Sequence, residues 1–225
     1  MANKILLSIT GEKSFDWDAK LKEINKLGIT EAAVFLSRFD KKERDNLYRL
    51  LLKSTIKSVP FVHFRDDASA EEIEFFVKNF RTNHFNIHES SFEMLDLWKD
   101  YWNKLYLEMD FNDKIAKNVD VEKIGGFCID LSHLKAAISR GTEEAAYFFS
   151  KKNAPKVACN HLNGYDPVAM KDIHFIKNLG SFDYLTSLPK HAFGKIIALE
   201  VDNSIAKQIK FKEYISRLLE KYLLE

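Results

Sequence analysis

The sequence has little of what marks a specialised chain. It holds two cysteines, four prolines and eight glycines in 225 residues. The two cysteines, Cys128 and Cys159, cannot build a disulfide framework. With Pro and Gly so scarce, no stretch reads as a linker, and no low-complexity segment occurs. Charge of one sign is also missing: 34 Lys+Arg nearly cancel 33 Asp+Glu, leaving +1. Whole-chain charge therefore gives no argument for nucleic acid or an acidic membrane. No apolar run approaches the roughly 20 residues of a membrane span. The apolar stretch 5–9 is too short for a signal-peptide core. No Walker-type phosphate loop, Cys-x-x-Cys pair or Gly-x-Ser-x-Gly elbow is present. What remains is 46% hydrophobic and 30% charged, an ordinary soluble composition with enough chain to bury a full core. These points predict a cytoplasmic enzyme or binding domain with no membrane partner.

What the chain does have is a rhythm. Eight short apolar runs, 4–9, 31–36, 59–64, 84–88, 104–109, 126–131, 156–161 and 196–201, have strand length and strand composition. Between them lie charged segments with helical spacing: 16–27, 41–53, 70–80, 91–102, 134–151 and, after the last run, 205–224. In the first of these, Trp17, Leu21, Ile24 and Leu27 share a face, and Gly28 follows as a stop. Ser69 with Glu72 three residues on reads as a capping box. The last offers Ile209, Tyr214, Ile215, Leu218, Leu219 and Tyr222 for burial. Alternating strands and helices imply parallel strands with crossover helices. Eight units of about 28 residues fit a single-domain α/β chain closed as a (β/α)8 TIM barrel. An open doubly wound sheet is the alternative. It would want a Gly-rich loop after the first strand, where Ser8-Ile9-Thr10-Gly11-Glu12 stands instead.

A barrel carries its chemistry at the carboxyl ends of its strands. The third to eighth runs each end in His, Asp or Glu: His63, His88, Glu108 with Asp110, Asp130 with His133, His161, and Glu200 with Asp202. His174 lies in the long connection after the seventh run. Imidazoles mixed with carboxylates suit Zn, Mn, Fe or Co better than calcium. Each residue alone also has a plain structural reading. Glu108 or Glu200 could pair with a Lys or Arg, Arg65 being available. Asp130 or Ser132 could cap the following helix. Cys128 and Cys159 each precede a candidate ligand by two residues and read as small barrel-interior side chains. His84 and His191 fall outside the constellation and read as solvated. Arg65, Arg140 and Lys177 are the candidate anion contacts. The joint pattern carries the argument, since no single residue does.

At these residues the sequence resembles the xylose isomerase-like TIM-barrel superfamily, which includes sugar isomerases, epimerases and endonuclease IV. The resemblance runs over nearly the whole chain and rests on order and spacing. It implies a central divalent metal, of the Mn, Zn, Mg, Co or Fe group, held by Glu108, Asp130, His161 and Glu200. The superfamily's Asp-x-x-His element is similar to Asp130-Leu131-Ser132-His133, its His-Leu-Asn segment to His161-Leu162-Asn163, and its Asp-x-His to Asp172-Ile173-His174. A Leu-Gly turn follows, here Leu179-Gly180-Ser181-Phe182-Asp183.

Two branches compete. The isomerase and epimerase branch implies a sugar-like small molecule, with Glu108 and Glu200 as the acid/base pair. His133, with His63 and His88, would then bind substrate. The endonuclease IV branch implies three metals and a nucleic-acid partner. His63, His88, His133, Asp172 and His174 would then be additional metal ligands, and a metal-bound hydroxide would attack a phosphodiester. Against the nuclease stand the short chain, Glu89-Ser90 where that branch has Pro-Gly, and no basic surplus for phosphates. The sugar branch is therefore preferred. A non-catalytic barrel with a vestigial site is the third reading, disfavoured because all four residues of the tetrad are present. The substrate, the identity and number of metals and the oligomeric state stay open in the sequence.

Overall fold

The structure is a computed structural model that describes residues 3–10, 16–110, 112–151 and 157–224. Gly11, Glu12 and Lys156, the expected start of the seventh strand, lie outside the described residues. The strands are β1 (Lys4–Leu6), β2 (Ser8–Ile9), β3 (Ala33–Phe35), β4 (Phe61–His63), β5 (His84–Ile87), β6 (Leu105–Leu107), β7 (Gly126–Asp130), β8 (Val157–Leu162), β9 (Gly164–Asp166), β10 (Lys171–Ile173) and β11 (Ile196–Leu199). The helices are α1 (Asp16–Leu27), α2 (Lys41–Leu51), α3 (Ala70–Phe80), α4 (Leu131–Arg140), α5 (Glu143–Ser150) and α6 (Ile205–Leu224).

The main sheet runs β1-β11-β8-β7-β6-β5-β4-β3-β2. Every pairing in it is parallel. Its two ends, β1 and β2, are one stretch of chain with Leu7 between them. The sheet thus closes on itself through its first strand, whose lower half pairs with β11 and upper half with β3. This is the predicted (β/α)8 barrel, with the eight predicted runs as its staves.

The change of neighbour at Ser8 would strand backbone groups, and side chains take them up. Gln208 of α6, fully buried, accepts from Ser8 N at 2.8 Å and donates to Ser8 O at 3.1 Å. The Ser8 hydroxyl donates to Leu199 O. A buried polar group without such a partner would cost about 1–3 kcal/mol.

Side chains alternate across each strand with period 2. The outward face joins the helices in one large apolar core. The inward face forms a second cluster of Leu6, Ala33, Phe35, Phe61, Tyr106, Cys128, Cys159 and Ala198. Cys128 and Cys159 are register partners on β7 and β8, both unpaired and fully buried, as the sequence reading has them. This cluster plugs the barrel beneath the candidate site.

Several expectations need correction. The helix over 134–151 is two helices. Gly141 caps α4 in the left-handed region (φ 67°), and Thr142 opens α5 by accepting from Ala145 N. The segment 91–102 lies in a 3-10 run, Glu89–Lys104, interrupted at Trp98. Leu27 is 49% exposed, because Trp17, Leu21 and Ile24 already fill the inner face of α1. On α6 the fully buried set is Ile205, Gln208, Phe211, Ile215 and Leu219, and the other expected residues are half-buried. The antiparallel hairpin β9–β10 was not foreseen. At Ser69 the capping-box half contributed by Glu72 is present, accepting from Ser69 N at 3.0 Å. Among the described residues no helix is long and apolar enough to cross a membrane.

Candidate active site

The inward alternation that places Phe35, Phe61, Tyr106, Cys128, Cys159 and Ala198 in the plug places His63, Asn86, Glu108, Asp130, His161 and Glu200 one layer higher. Glu108 and Glu200 stand just past their strands, and the ladder still holds them. Glu108 N donates to Ile87 O and Glu200 N to Leu162 O, each at 2.8 Å. The floor is aromatic: His161 meets the Phe35 and Phe61 rings edge-on, with centroids at 5.1 and 5.2 Å.

The expected tetrad converges. His161 Nδ1 lies 3.1 Å from Glu108 Oε1 and 3.4 Å from Glu200 Oε2. Asp130, His161 and Glu200 each offer a ligand atom within 4.8 Å of the others, and so do His63, Glu108 and His161, and Glu108, Asp130 and His133. His63 Nε2 is 3.2 Å and His88 Nε2 3.9 Å from Glu108 Oε2. His133 Nδ1 is 3.8 Å from Asp130 Oδ2. On the hairpin, His174 Nε2 lies 2.6 Å from Asp172 Oδ2. The nine residues given a metal, catalytic or substrate role in the sequence reading therefore gather at one mouth, His174 joining through Glu200 O.

Exposure is graded through the site. The side chains of His161, His63, Asp130 and Glu108 are 0–5% exposed. Glu200, His133, His88, Asp172 and His174 are 18–31% exposed. A buried layer thus sits beneath a part-exposed rim.

The donor set fits a divalent cation. His63 has Nδ1 3.2 Å from Phe64 O, and His174 has Nδ1 3.1 Å from Glu200 O. Donating there leaves each Nε2 lone pair facing a carboxylate. Two acceptors so close repel unless a proton or a cation lies between them. Neither ring nitrogen of buried His161 makes an aligned hydrogen bond. The ion-pair partners of Glu108, Asp130 and Glu200 among the described residues are all imidazoles. Three buried or half-buried carboxylates around one point need positive charge.

The titration behaviour reflects this. Burial alone would raise the Glu108 carboxyl, but His161, His88 and His63 hold it well below the usual range. Burial would lower the His161 imidazole, and Glu108 and Glu200 push it well above its ordinary value instead. His88, against burial, rises to about 9 beside Glu108 and Asp110. His174, also against burial, rises to about 9 beside Asp172, whose own carboxyl falls to about 2 chiefly through that contact.

Some residues behave differently from their sequence reading. Asp130 caps the following helix and also faces the site. Its Oδ1 caps α4, accepting from Ser132 N and His133 N at 2.9 Å, while Oδ2 faces the site. Arg65 is not the partner of Glu108 or Glu200. It donates to Asp67 Oδ1 at 2.8 Å and Ser37 O at 3.1 Å. Arg140 pairs with Asp113 at 2.6 Å. His84 is half-buried and stacked on Tyr106 (5.1 Å, 24°) rather than solvated. His191 is exposed, stacked on Phe148.

One site residue, Asn86, was missed, and another, Asn163, was quoted in a motif without a role. Asn86, fully buried, donates from Nδ2 to Glu108 Oε2 at 2.6 Å. Asn163 donates to Asp130 Oδ2 at 3.2 Å. Asn86 was legible in principle, lying midway between His84 and His88 on one strand face.

At the level of sequence, no known family and no curated protein matches the chain. In three dimensions it matches a solved structure described as a D-tagatose 3-epimerase-like protein. The TM-score is 0.54 at 14% identity, over 97% of this chain and 99% of that one. The fold is accordingly a TIM barrel, shared with that structure over nearly its whole length. At that identity the likeness speaks for the fold alone.

Proposed function

We propose that the protein is a divalent-metal-dependent isomerase or epimerase of a sugar or sugar-like small molecule. The observation that carries this is two carboxylates, Glu108 and Glu200, meeting on one buried imidazole with Asp130 beside them. Glu108, Asp130, His161 and Glu200 would hold the metal. A bound Mn, Zn, Mg, Co or Fe ion would supply Lewis-acid polarisation of a carbonyl, which acidifies the neighbouring C–H. The chain supplies the rest. Phe35 and Phe61 close the floor against water. Glu108 and Glu200 are the carboxylates within reach of a carbon above the tetrad, one to take a proton and one to hold the charge balance. His133, His63 and His88 face the same space; His133 and His88 can donate to substrate oxygens, and His63 can do so from Nε2 only when its ring carries both protons. Entry is from the rim, where His88, His133 and Glu200 are part-exposed. Two unpaired buried cysteines suit a reducing, cytoplasmic setting.

One observation favours the second reading, a zinc-dependent phosphodiesterase acting on nucleic acid. Glu108 is shared by two of the three ligand clusters, and its Oε2 faces both His63 and His88. A bridging carboxylate between two metals would look like this. Doubling the substitution, His63→Ala with His88→Ala, separates the readings. A single-metal isomerase keeps its metal content; a multi-metal nuclease loses part of it. For the preferred reading, Glu108→Gln and Glu200→Gln should each abolish interconversion of ketoses while the far-UV spectrum stays native. Full rates in either variant would remove that carboxylate from the chemistry.

A further inference from the structure

The two carboxylates are not equivalent. Both oxygens of Glu108 are engaged. Oε2 accepts from Asn86 Nδ2 at 2.6 Å and lies 3.2 Å from His63 and 3.9 Å from His88, while Oε1 lies 3.1 Å from His161. Its side chain is 5% exposed. Asn86 is itself held, fully buried in mid-strand between β4 and β6. Glu200 has one ion-pair contact among the described residues, His161 at 3.4 Å, and is 18% exposed. It borders a small pocket at the mouth with Thr10, Phe35, Ser37, Arg38, His174 and Asp202.

This asymmetry bears on the reaction. Inverting a carbon next to a carbonyl needs a proton removed on one face and delivered on the other, so two free carboxyl groups. Moving a proton between adjacent carbons on one face needs one. On the sugar isomerase or epimerase reading above, we infer that Glu200 alone carries the proton and that the reaction is aldose–ketose isomerisation, with Asn86 the positioning residue that fixes Glu108. The Glu200 carboxylate takes the proton from the hydroxyl-bearing carbon. The C–H electron pair becomes the C=C bond of an enediolate as the carbonyl π pair moves onto its oxygen. The same carboxyl group returns the proton to the former carbonyl carbon, and the hydroxyl proton passes to the other oxygen. Atoms and charge balance, and no redox partner is needed.

Two readouts test this. The first uses the metal-free protein, treated with a water-soluble carbodiimide and an amine, with each carboxyl followed by peptide mass spectrometry. Glu200 should be modified several-fold faster than Glu108. Asn86→Ala, or Asn86→Ser if the first folds poorly, should narrow the gap by freeing Glu108. Equal rates in the unmodified protein overturn the asymmetry, and an unchanged gap in both variants overturns the role of Asn86.

The second uses manganese-loaded protein and a panel of pentoses and hexoses, free and phosphorylated, with deuterium at C2 of each aldose. Deuterium recovered in part at C1 of the ketose supports one shuttling carboxyl; recovery in full marks a 1,2-hydride shift that uses no base and overturns the inference. Complete loss to solvent, or an epimer as product, overturns the inference while leaving the sugar reading in place. No turnover across the panel removes the sugar reading itself, and this inference with it.

Discussion

Asp130 offers the sharpest separation of structure from chemistry, because its two oxygens do different work. Oδ1 accepts from Ser132 N (2.9 Å), His133 N (2.9 Å) and Ser132 Oγ (2.8 Å), opening α4. Oδ2 accepts from Asn163 Nδ2 at 3.2 Å and faces the candidate ligands His161 and Glu200. Asp130→Ala removes both. The buried Ser132 N–H loses its acceptor at about 1–3 kcal/mol, and the part-buried His133 N–H loses its own at about 1 kcal/mol. The loss of a helix cap, about 1 kcal/mol, is part of the same account. The expected destabilisation is about 2–4 kcal/mol.

Asp130→Asn keeps the cap. Its amide nitrogen would oppose Asn163 Nδ2, but Asn163 can turn over. Asn163 then accepts from the new amide and donates to Ser132 Oγ, which now lies 2.7 Å from Asn163 Oδ1. The expected cost to the metal-free fold is under about 1 kcal/mol. Metal affinity should nonetheless fall at least about tenfold, or 1.4 kcal/mol, since a charged ligand has become neutral. Urea denaturation of both metal-free variants, with manganese titration calorimetry of the Asn variant, checks this. If Asn costs as much stability as Ala, the charge is structural. If Asn binds metal as well as Asp does, Asp130 is not a ligand.

Further outcomes follow from the same structure. Arg44 is fully buried and bonded to Glu72 (2.9 Å) and Asp67 (3.1 Å), with Tyr48 donating to Glu72 at 2.8 Å. Glu72→Ala strands that guanidinium and should cost about 3–5 kcal/mol in denaturation midpoint analysis; a loss under 1 kcal/mol would show that water or Asp67 compensates. In the metal-free protein His161 is raised well above its ordinary pKa, and His88 and His174 stand at about 9. Their contacts therefore stabilise that state fully below about pH 6.5 and fade as pH rises through about 9. Metal must displace these protons. Loading at pH 7 should release at least one proton per metal, and affinity should drop as pH falls. Calorimetry in buffers of different ionisation enthalpy reads this directly, and binding without proton release would contradict the raised imidazoles.

The site was largely legible in the sequence, for a geometric reason. Period-2 alternation in a closed parallel barrel leaves little choice about where a strand-end side chain points. His63, Glu108, Asp130, His161 and Glu200 followed from reading where each apolar run stops. Where the chain leaves a strand, that rule lapses. The hairpin β9–β10 carries Asp172 and His174 to the mouth by a turn that no apolar periodicity announces. Asn86 was passed over because an amide among histidines does not read as a ligand, although its strand face was known. The break at Gly141-Thr142 was there to be read, as a left-handed stop followed by a cap, but the apolar spacing ran through it. Arg65 was misjudged because Asp67, two residues on, takes up its charge, and His84 because its stacking partner Tyr106 comes from the neighbouring strand.

The central claim is that these residues hold one divalent metal for carbon-acid chemistry. Its most direct test is elemental analysis of the tag-free purified protein beside its Asp130→Asn variant. About one equivalent of a first-row ion or magnesium, lost in the variant, is the result the account predicts. No bound metal after reconstitution, or two to three equivalents dominated by zinc, would contradict it, the latter in favour of phosphodiester cleavage.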